Sequence, residues 1–361
     1  MSTPSARLAS VDALRGFDMF WIIGGDYLFR SLPNIHKSSV TLWLAAQMEH
    51  CDWAGLHFYD LIFPLFVFLV GVSLVFSLTN TIARDGRGAA LKRVAFRSAV
   101  LFLLGIIYTG GIANGFQNVY LAGVLHRIAV AYFFAAILFC FFRPRRLAVI
   151  CVGLLVGYWA LMTLVPVPGL GPPSLEGPGR NLAHYLDERF LPGQKFEGTL
   201  LSTMAAVANC LLGVFAGLLL RDASLSDRQK TAWLSGAGLA GVVIGLVWSL
   251  QFPIIKLLWT SSYVLVTCGI SALLLALFFQ IIEFWQLRSW AQPFIWIGTN
   301  AITIYLVGGI VNFHRLALRF TGGDIRIFLG RYADFVQALV TIALGLLLVR
   351  YLYRRQIFLR L

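Results

Sequence analysis

Long stretches of this chain are apolar without a break, and the polar positions are confined to short intervals between them. Ten apolar runs stand out, at about 14–30, 60–81, 94–112, 119–142, 147–165, 200–220, 232–251, 260–284, 292–313 and 333–353. Most approach or exceed the roughly 20 apolar residues that carry a helix across a bilayer. The pattern predicts an all-α, polytopic membrane protein, a bundle of about ten transmembrane helices forming a single domain over 1–361. Two connections are long. The stretch 31–59 carries an unusual density of titratable groups. The stretch 166–199 opens on Pro166, Pro168, Gly169, Gly171, Pro172 and Pro173, a turn-rich start with no helical pattern. No repeat of 20–50 residues is present, so a solenoid is excluded.

Composition sharpens this picture. Of 361 residues 59% are hydrophobic and only 12% charged, with a mean hydropathy of +0.79, more apolar surface than a soluble domain of this length can bury. The first apolar run contains Asp18 and Asp26 and is followed by no small-residue cleavage site, so it reads as a retained span and not a signal peptide. The net charge is +13. Lys and Arg gather in alternate connections, at 84–97, 143–146, 221–230 and 350–360, which predicts cytoplasmic N- and C-termini by the positive-inside rule. Basic residues scattered over many short loops are topology signals, and they predict no nucleic-acid partner. The five cysteines, Cys51, Cys140, Cys151, Cys210 and Cys268, show no metal-ligand spacing, and neither a metal site nor a disulfide framework is expected.

The candidate chemistry concentrates in Glu49-His50-Cys51-Asp52-Trp53-Ala54-Gly55-Leu56-His57-Phe58-Tyr59-Asp60, which runs into the second span. Imidazole, carboxylate and indole at a membrane surface are materials for proton or acyl transfer. His50 is the candidate base or acyl carrier. Asp52 is a candidate to orient its ring, and Asp60 is either that or a plain cap of the helix opening at Leu61. Trp53 is either an interfacial anchor or a substrate contact. Asp26, near the outer end of the first span, is a candidate because ionisable groups at membrane depth are expensive. Asp12 and Arg15 form an i, i+3 pair. His126 and Arg127 stand within an apolar run, where an arginine needs an acid or a ligand phosphate. Lys256 and Asn300 are polar groups in apolar settings. No nucleotide-binding glycine loop, HExxH or GxSxG is present.

Ser10-Val11-Asp12-Ala13-Leu14-Arg15-Gly16, the segment from His50 through Trp53, Gly55, Leu56 and Asp60 to Phe63-Pro64, Gly123-Val124-Leu125-His126-Arg127, Phe252-Pro253-Ile254-Ile255-Lys256-Leu257-Leu258-Trp259 and Thr299-Asn300-Ala301 together resemble one family. It is the transmembrane N-acetyltransferases typified by lysosomal heparan-alpha-glucosaminide N-acetyltransferase, with its bacterial relatives. The resemblance implies transfer of acetyl from cytosolic acetyl-CoA, as co-substrate, to a glucosamine-type amine across the bilayer. It further implies His50 as the active histidine, a bacterial inner-membrane location and a homodimer. Asp26 falls where the family has an asparagine, and Lys195-Phe196-Glu197-Gly198 departs from the family's Asp-Pro-Glu-Gly. On this reading Asp26, Asp52 and Asp60 serve His50. Trp53, Lys256 and Asn300 contact substrate, and Arg15, His126 and Arg127 bind the coenzyme A moiety. Whether His50 carries the acetyl group or only deprotonates the amine stays open. So do two rival functions, a proton-coupled amino-sugar transporter and an envelope-glycan acyltransferase with another donor.

Overall fold

A computed structural model describes residues 8–113, 115, 118–191 and 199–359. The chain is all-helical over these residues. Seven helices are long and apolar enough to cross a membrane, or eight if a bent pair counts as one span, and the protein is a multi-pass membrane protein.

The ten apolar runs all lie in helical segments, and the lower count has two physical causes. Runs 60–81 and 94–112 belong to one helical stretch, Ile62–Tyr108, interrupted at Gly86, whose φ of 82° is open to glycine. A straight helix of 47 residues would measure about 70 Å, more than twice the ~30 Å hydrocarbon core, and the break falls within the charged stretch 84–93. The first run is divided by a wider turn, Trp21–Gly25, in which Gly24 takes φ 151°, leaving Ala9–Phe20 and Asp26–Arg30 each too short to cross alone. The bent pair is Gln292–Thr299 and Ala301–Val311, which meet at 79° around Asn300.

The chain forms two compact units. The first comprises Met1–Cys51, His57–Ile62 and Leu277–Arg360. Here Ala9–Phe20 packs on Gln292–Thr299 with backbones nearly touching. A methyl group added at Gly16 would lie 1.7 Å from the Phe294 carbonyl oxygen, and one at Gly298 would lie 1.8 Å from that of Asp12. Small residues at such a crossing let dispersion hold helices together where lipid removes the hydrophobic incentive. The C-terminal helix Ala333–Arg354 covers Phe313–Thr321 and the turn at Trp21–Gly25. A cluster of Trp21, Met48 and Ile62, packed by Phe17, Phe58 and Tyr59, ties the segment before the second span to the first helix.

The second unit comprises Asp52–Leu56 and Phe63–Ala276. Its centre is Thr199–Arg221, flanked by Val124–Phe141, Pro144–Leu164 and the short helix Leu182–Phe190. Buried Asn209 donates to the Pro64 carbonyl at 3.1 Å. Cys140, Cys151, Cys210 and Cys268 are buried here as small apolar side chains. The stretch 166–199 holds a helix that its turn-rich start conceals. Asn181 caps Leu182–Phe190 by accepting from the His184 N–H at 2.8 Å. Asp187, at the other end, accepts from the N–H groups of Thr199 (2.5 Å) and Leu200 (2.9 Å) and so caps the next span.

Candidate functional site

The segment 47–60 is folded back on itself by its own polar groups. Arg30 donates twice to the Met48 carbonyl, at 2.9 and 3.2 Å. Gln47 accepts from the N–H of Phe58 through its side chain and of Tyr59 through its carbonyl. Asp60 then becomes the hub of the closed loop. Its carboxylate is fully buried; Oδ2 accepts from the N–H groups of Cys51 (3.3 Å) and His57 (3.0 Å), and Oδ1 faces His50 Nδ1 at 2.8 Å. A carboxylate only accepts, so the proton between them sits on His50 Nδ1. The His50 side chain is 52% exposed. Its ring lies 5.0 Å from that of Tyr59.

This geometry changes two expectations. Asp60 is not the N-cap of a helix beginning at Leu61. It sits inside a tight turn, Phe58–Leu61, and its side chain reaches back to the N–H of His57. The carboxylate against the imidazole is Asp60; Asp52 is exposed and falls in the second unit. Asp26 is buried at the start of Asp26–Arg30, with Oδ1 lacking a hydrogen-bond partner among the described residues.

Arg15 and Asn300 also belong to the first unit. Arg15 donates to Asp12 Oδ1 at 3.1 Å and to the Gly298 carbonyl at 3.3 Å, so part of its bonding is spent on the helix crossing. Asn300 stands at the 79° bend, 2% exposed, and neither polar atom of its side chain has a partner among the described residues. A buried amide left unsatisfied costs stability and requires an explanation.

Trp53, His126, Arg127 and Lys256 belong to the second unit. Trp53 Nε1 donates to the Leu175 carbonyl at 2.7 Å, which fixes the indole on the loop 166–180. Arg127 places its guanidinium 4.7 Å from the Trp259 ring centre and makes no ion pair among the described residues. His126 is buried edge-on against Phe102, and both its ring nitrogens lack partners among the described residues. Lys256 lies in a turn locked by Thr260 and Ser262, which hydrogen-bond to Ile255, Pro253 and Phe252. That lock was foreshadowed only by the run Thr260-Ser261-Ser262 at a helix entrance. Lys195–Gly198 lie outside the described residues.

Cys51, His57 and Asp60 also bring one donor atom each within 4.8 Å of one another. Such a set could take a divalent metal, and cysteine spacing alone did not reveal it. The Asp60 carboxylate is, however, already engaged by His50 and two amides.

Fold and site together define a multi-pass membrane protein with a buried carboxylate holding an accessible imidazole beside the second span. A model of the heparan-alpha-glucosaminide N-acetyltransferase catalytic domain matches residues 7–186, which include His50, Asp60 and Arg127. The chain is similar to human heparan-alpha-glucosaminide N-acetyltransferase, with 28% identity over 99% of this chain and 60% of that protein. It is similar to the mouse protein of the same name, with 26% identity over 98% of this chain and 60% of that one. The chain thus spans about 60% of the length of these curated relatives. The protein belongs to the heparan-alpha-glucosaminide N-acetyltransferase catalytic-domain family.

Proposed function

We propose that this protein is a transmembrane acetyltransferase that moves acetyl from cytoplasmic acetyl-CoA to the amine of a glucosamine-type sugar at the outer face of a bacterial inner membrane. On this reading both termini are cytoplasmic and the two units serve one reaction as a single acyltransferase domain. The observation that carries the proposal is the 2.8 Å contact of His50 Nδ1 with the fully buried Asp60 carboxylate, within the region matched by the family.

The chemistry follows from that contact. A sugar ammonium cannot attack a thioester. His50 Nε2 removes its proton, the amine attacks the thioester carbonyl, and the carbon–sulfur bond breaks as coenzyme A thiolate leaves and takes up a proton. Asp60 stabilises the imidazolium that forms. In the covalent version, Nε2 itself attacks the thioester carbonyl and the carbon–sulfur bond breaks as coenzyme A thiolate leaves; the free-amine form of the acceptor then attacks the acetyl-imidazole, the imidazole leaves, and the proton lost by the amine nitrogen passes to the thiolate. Both versions need the same tautomer, which Asp60 sets. Asp26, buried in the same unit as His50, is assigned a supporting role, and Asp52 and Trp53 are assigned to the acceptor side. Asn300 is assigned as a donor to the thioester oxyanion, a role that would give bonds to an amide with no partner among the described residues, and Lys256 is assigned separately to substrate. Arg15, near the cytoplasmic end of the first helix on this orientation, is assigned to the phosphates of coenzyme A, and Arg127 with His126, in the first turn of Val124–Phe141, to its pantetheine arm; a guanidinium lacking an ion pair among the described residues is open to a ligand.

Transfer of label from radiolabelled acetyl-CoA to a panel of amino sugars, by purified protein beside His50→Ala, tests this. Labelled N-acetyl sugar that disappears in the variant supports it, and the absence of any transfer overturns it. One observation favours a second reading, a proton-coupled transporter. Asp18 is fully buried in the first helix, with both carboxylate oxygens unpartnered among the described residues. Uptake of amino sugar into proteoliposomes without acetylation would support that reading instead.

A further inference from the structure

A separate cavity of about 280 Å³ lies in the second unit, where the break at Gly86 meets the end of Val124–Phe141. Phe139, Phe141 and Phe142 form an apolar wall, and Arg87 and Arg143 stand at its margin. Phe141 and Phe142 are exposed, as are both arginines, so the cavity opens outward from the helices. Arg84 is taken by Asp85 at 2.7 Å. Neither Arg87 nor Arg143 makes an ion pair among the described residues, and Arg145 and Arg146 add exposed positive charge next to them.

We infer that this cavity binds the phosphate headgroup of an anionic phospholipid, with its acyl chains lying along the phenylalanine wall. The stretches 84–93 and 143–146 mark the cytoplasmic ends of their helices on the orientation proposed above. A basic pocket between helix ends at that level faces the leaflet rich in anionic lipid. The wall argues against the nucleotide end of coenzyme A. Besides the arginines the lining offers only the Thr79 hydroxyl, donated to the Val75 carbonyl at 2.7 Å, and the weakly polar Cys140 thiol, so no amide or carboxylate side chain there reads a base. The volume is also below the range of about 300–1,000 Å³ that encloses a drug-sized ligand.

The test is native mass spectrometry of the full chain after incubation with phosphatidylglycerol or phosphatidylcholine. Two cations at the headgroup predict that wild type retains phosphatidylglycerol roughly thirtyfold better. Arg87→Gln/Arg143→Gln should lose most of that preference, Arg87→Lys/Arg143→Lys should keep it, and Arg354→Gln/Arg355→Gln should leave it intact. Equal retention of both lipids by wild type overturns the inference, as does unchanged preference in the glutamine pair. Release of bound phosphatidylglycerol by coenzyme A also overturns it and makes the cavity a nucleotide site. If the glutamine pair fails to fold, the wild-type comparison and the lysine pair decide.

Discussion

Replacing Asp60 by asparagine should inactivate the protein while leaving it folded, and the hydrogen bonds say why. Asp60 Oδ2 receives two N–H groups, from Cys51 at 3.3 Å and His57 at 3.0 Å. Both are donors, so the asparagine oxygen must occupy that position. The amide nitrogen is then forced into the place of Oδ1, 2.8 Å from His50 Nδ1. An NH₂ group there donates to Nδ1 and moves the histidine proton to Nε2, the atom that must accept one. The same exchange in a Ser-His-Asp triad lowers turnover by ~10⁴, and loss of a positioned base costs about 10²–10⁴ in general. The expected result is a fall in kcat within that range with little change in the KM for acetyl-CoA. The stability cost should be about 1–2 kcal/mol, because the two amide bonds survive as neutral ones. Asp60→Ala would cost more, since it orphans both N–H groups. Initial rates with radiolabelled acetyl-CoA, alongside thermal unfolding in detergent, separate the effects. An asparagine variant with near wild-type kcat would refute the assignment of His50 as base or carrier.

Gly16→Ala should lower the thermal midpoint in detergent by the equivalent of at least about 1–3 kcal/mol, because the added methyl group overlaps the Phe294 carbonyl oxygen; an unchanged midpoint would mean this crossing is looser than it looks. Asn300→Ala should leave the midpoint unchanged or raised, since the amide has no protein partner among the described residues, yet lower kcat by roughly 10²-fold if it serves the oxyanion. Burial pushes the Asp187 carboxyl above its usual range, against the pull of the Leu200 and Thr199 N–H groups. The folded state then holds this proton more tightly than the unfolded one. The group's stabilisation is complete below the ordinary carboxylate pKa and is lost as pH rises through the raised one. Asp187→Asn should flatten that part of the midpoint-versus-pH curve, and a curve identical to wild type would contradict this.

Apolar runs are legible because the bilayer admits few other solutions than helices with every backbone group paired. All ten runs were therefore visible in sequence, whereas their continuity was not. The break at Gly24 and the near-continuous helix through 84–93 depend on backbone angles that a glycine permits but does not dictate. Leu182–Phe190 was hidden by the prolines that precede it, although Asn181 was an available capping signal. At the candidate site, residue types pointed to His50 and Asp60 but not to which carboxylate faces the ring. Asp52 stands two residues from His50 and Asp60 ten, and proximity in sequence favours the wrong one. Only the closure of 47–60 by Arg30 and Gln47 brings Asp60 back to the imidazole. That Asn300 finds no partner among the described residues is likewise a property of packing and leaves no mark on the sequence.

The central claim is that acetyl crosses the membrane from coenzyme A to an amine on the other side, and proteoliposomes test it directly. Radiolabelled acetyl-CoA would be sealed inside vesicles with glucosamine-type acceptors supplied only outside, using protein oriented with its termini inward. The account predicts labelled N-acetyl sugar in the outer medium, free coenzyme A inside, and neither product with His50→Ala. Product formed only when donor and acceptor share one compartment would contradict it.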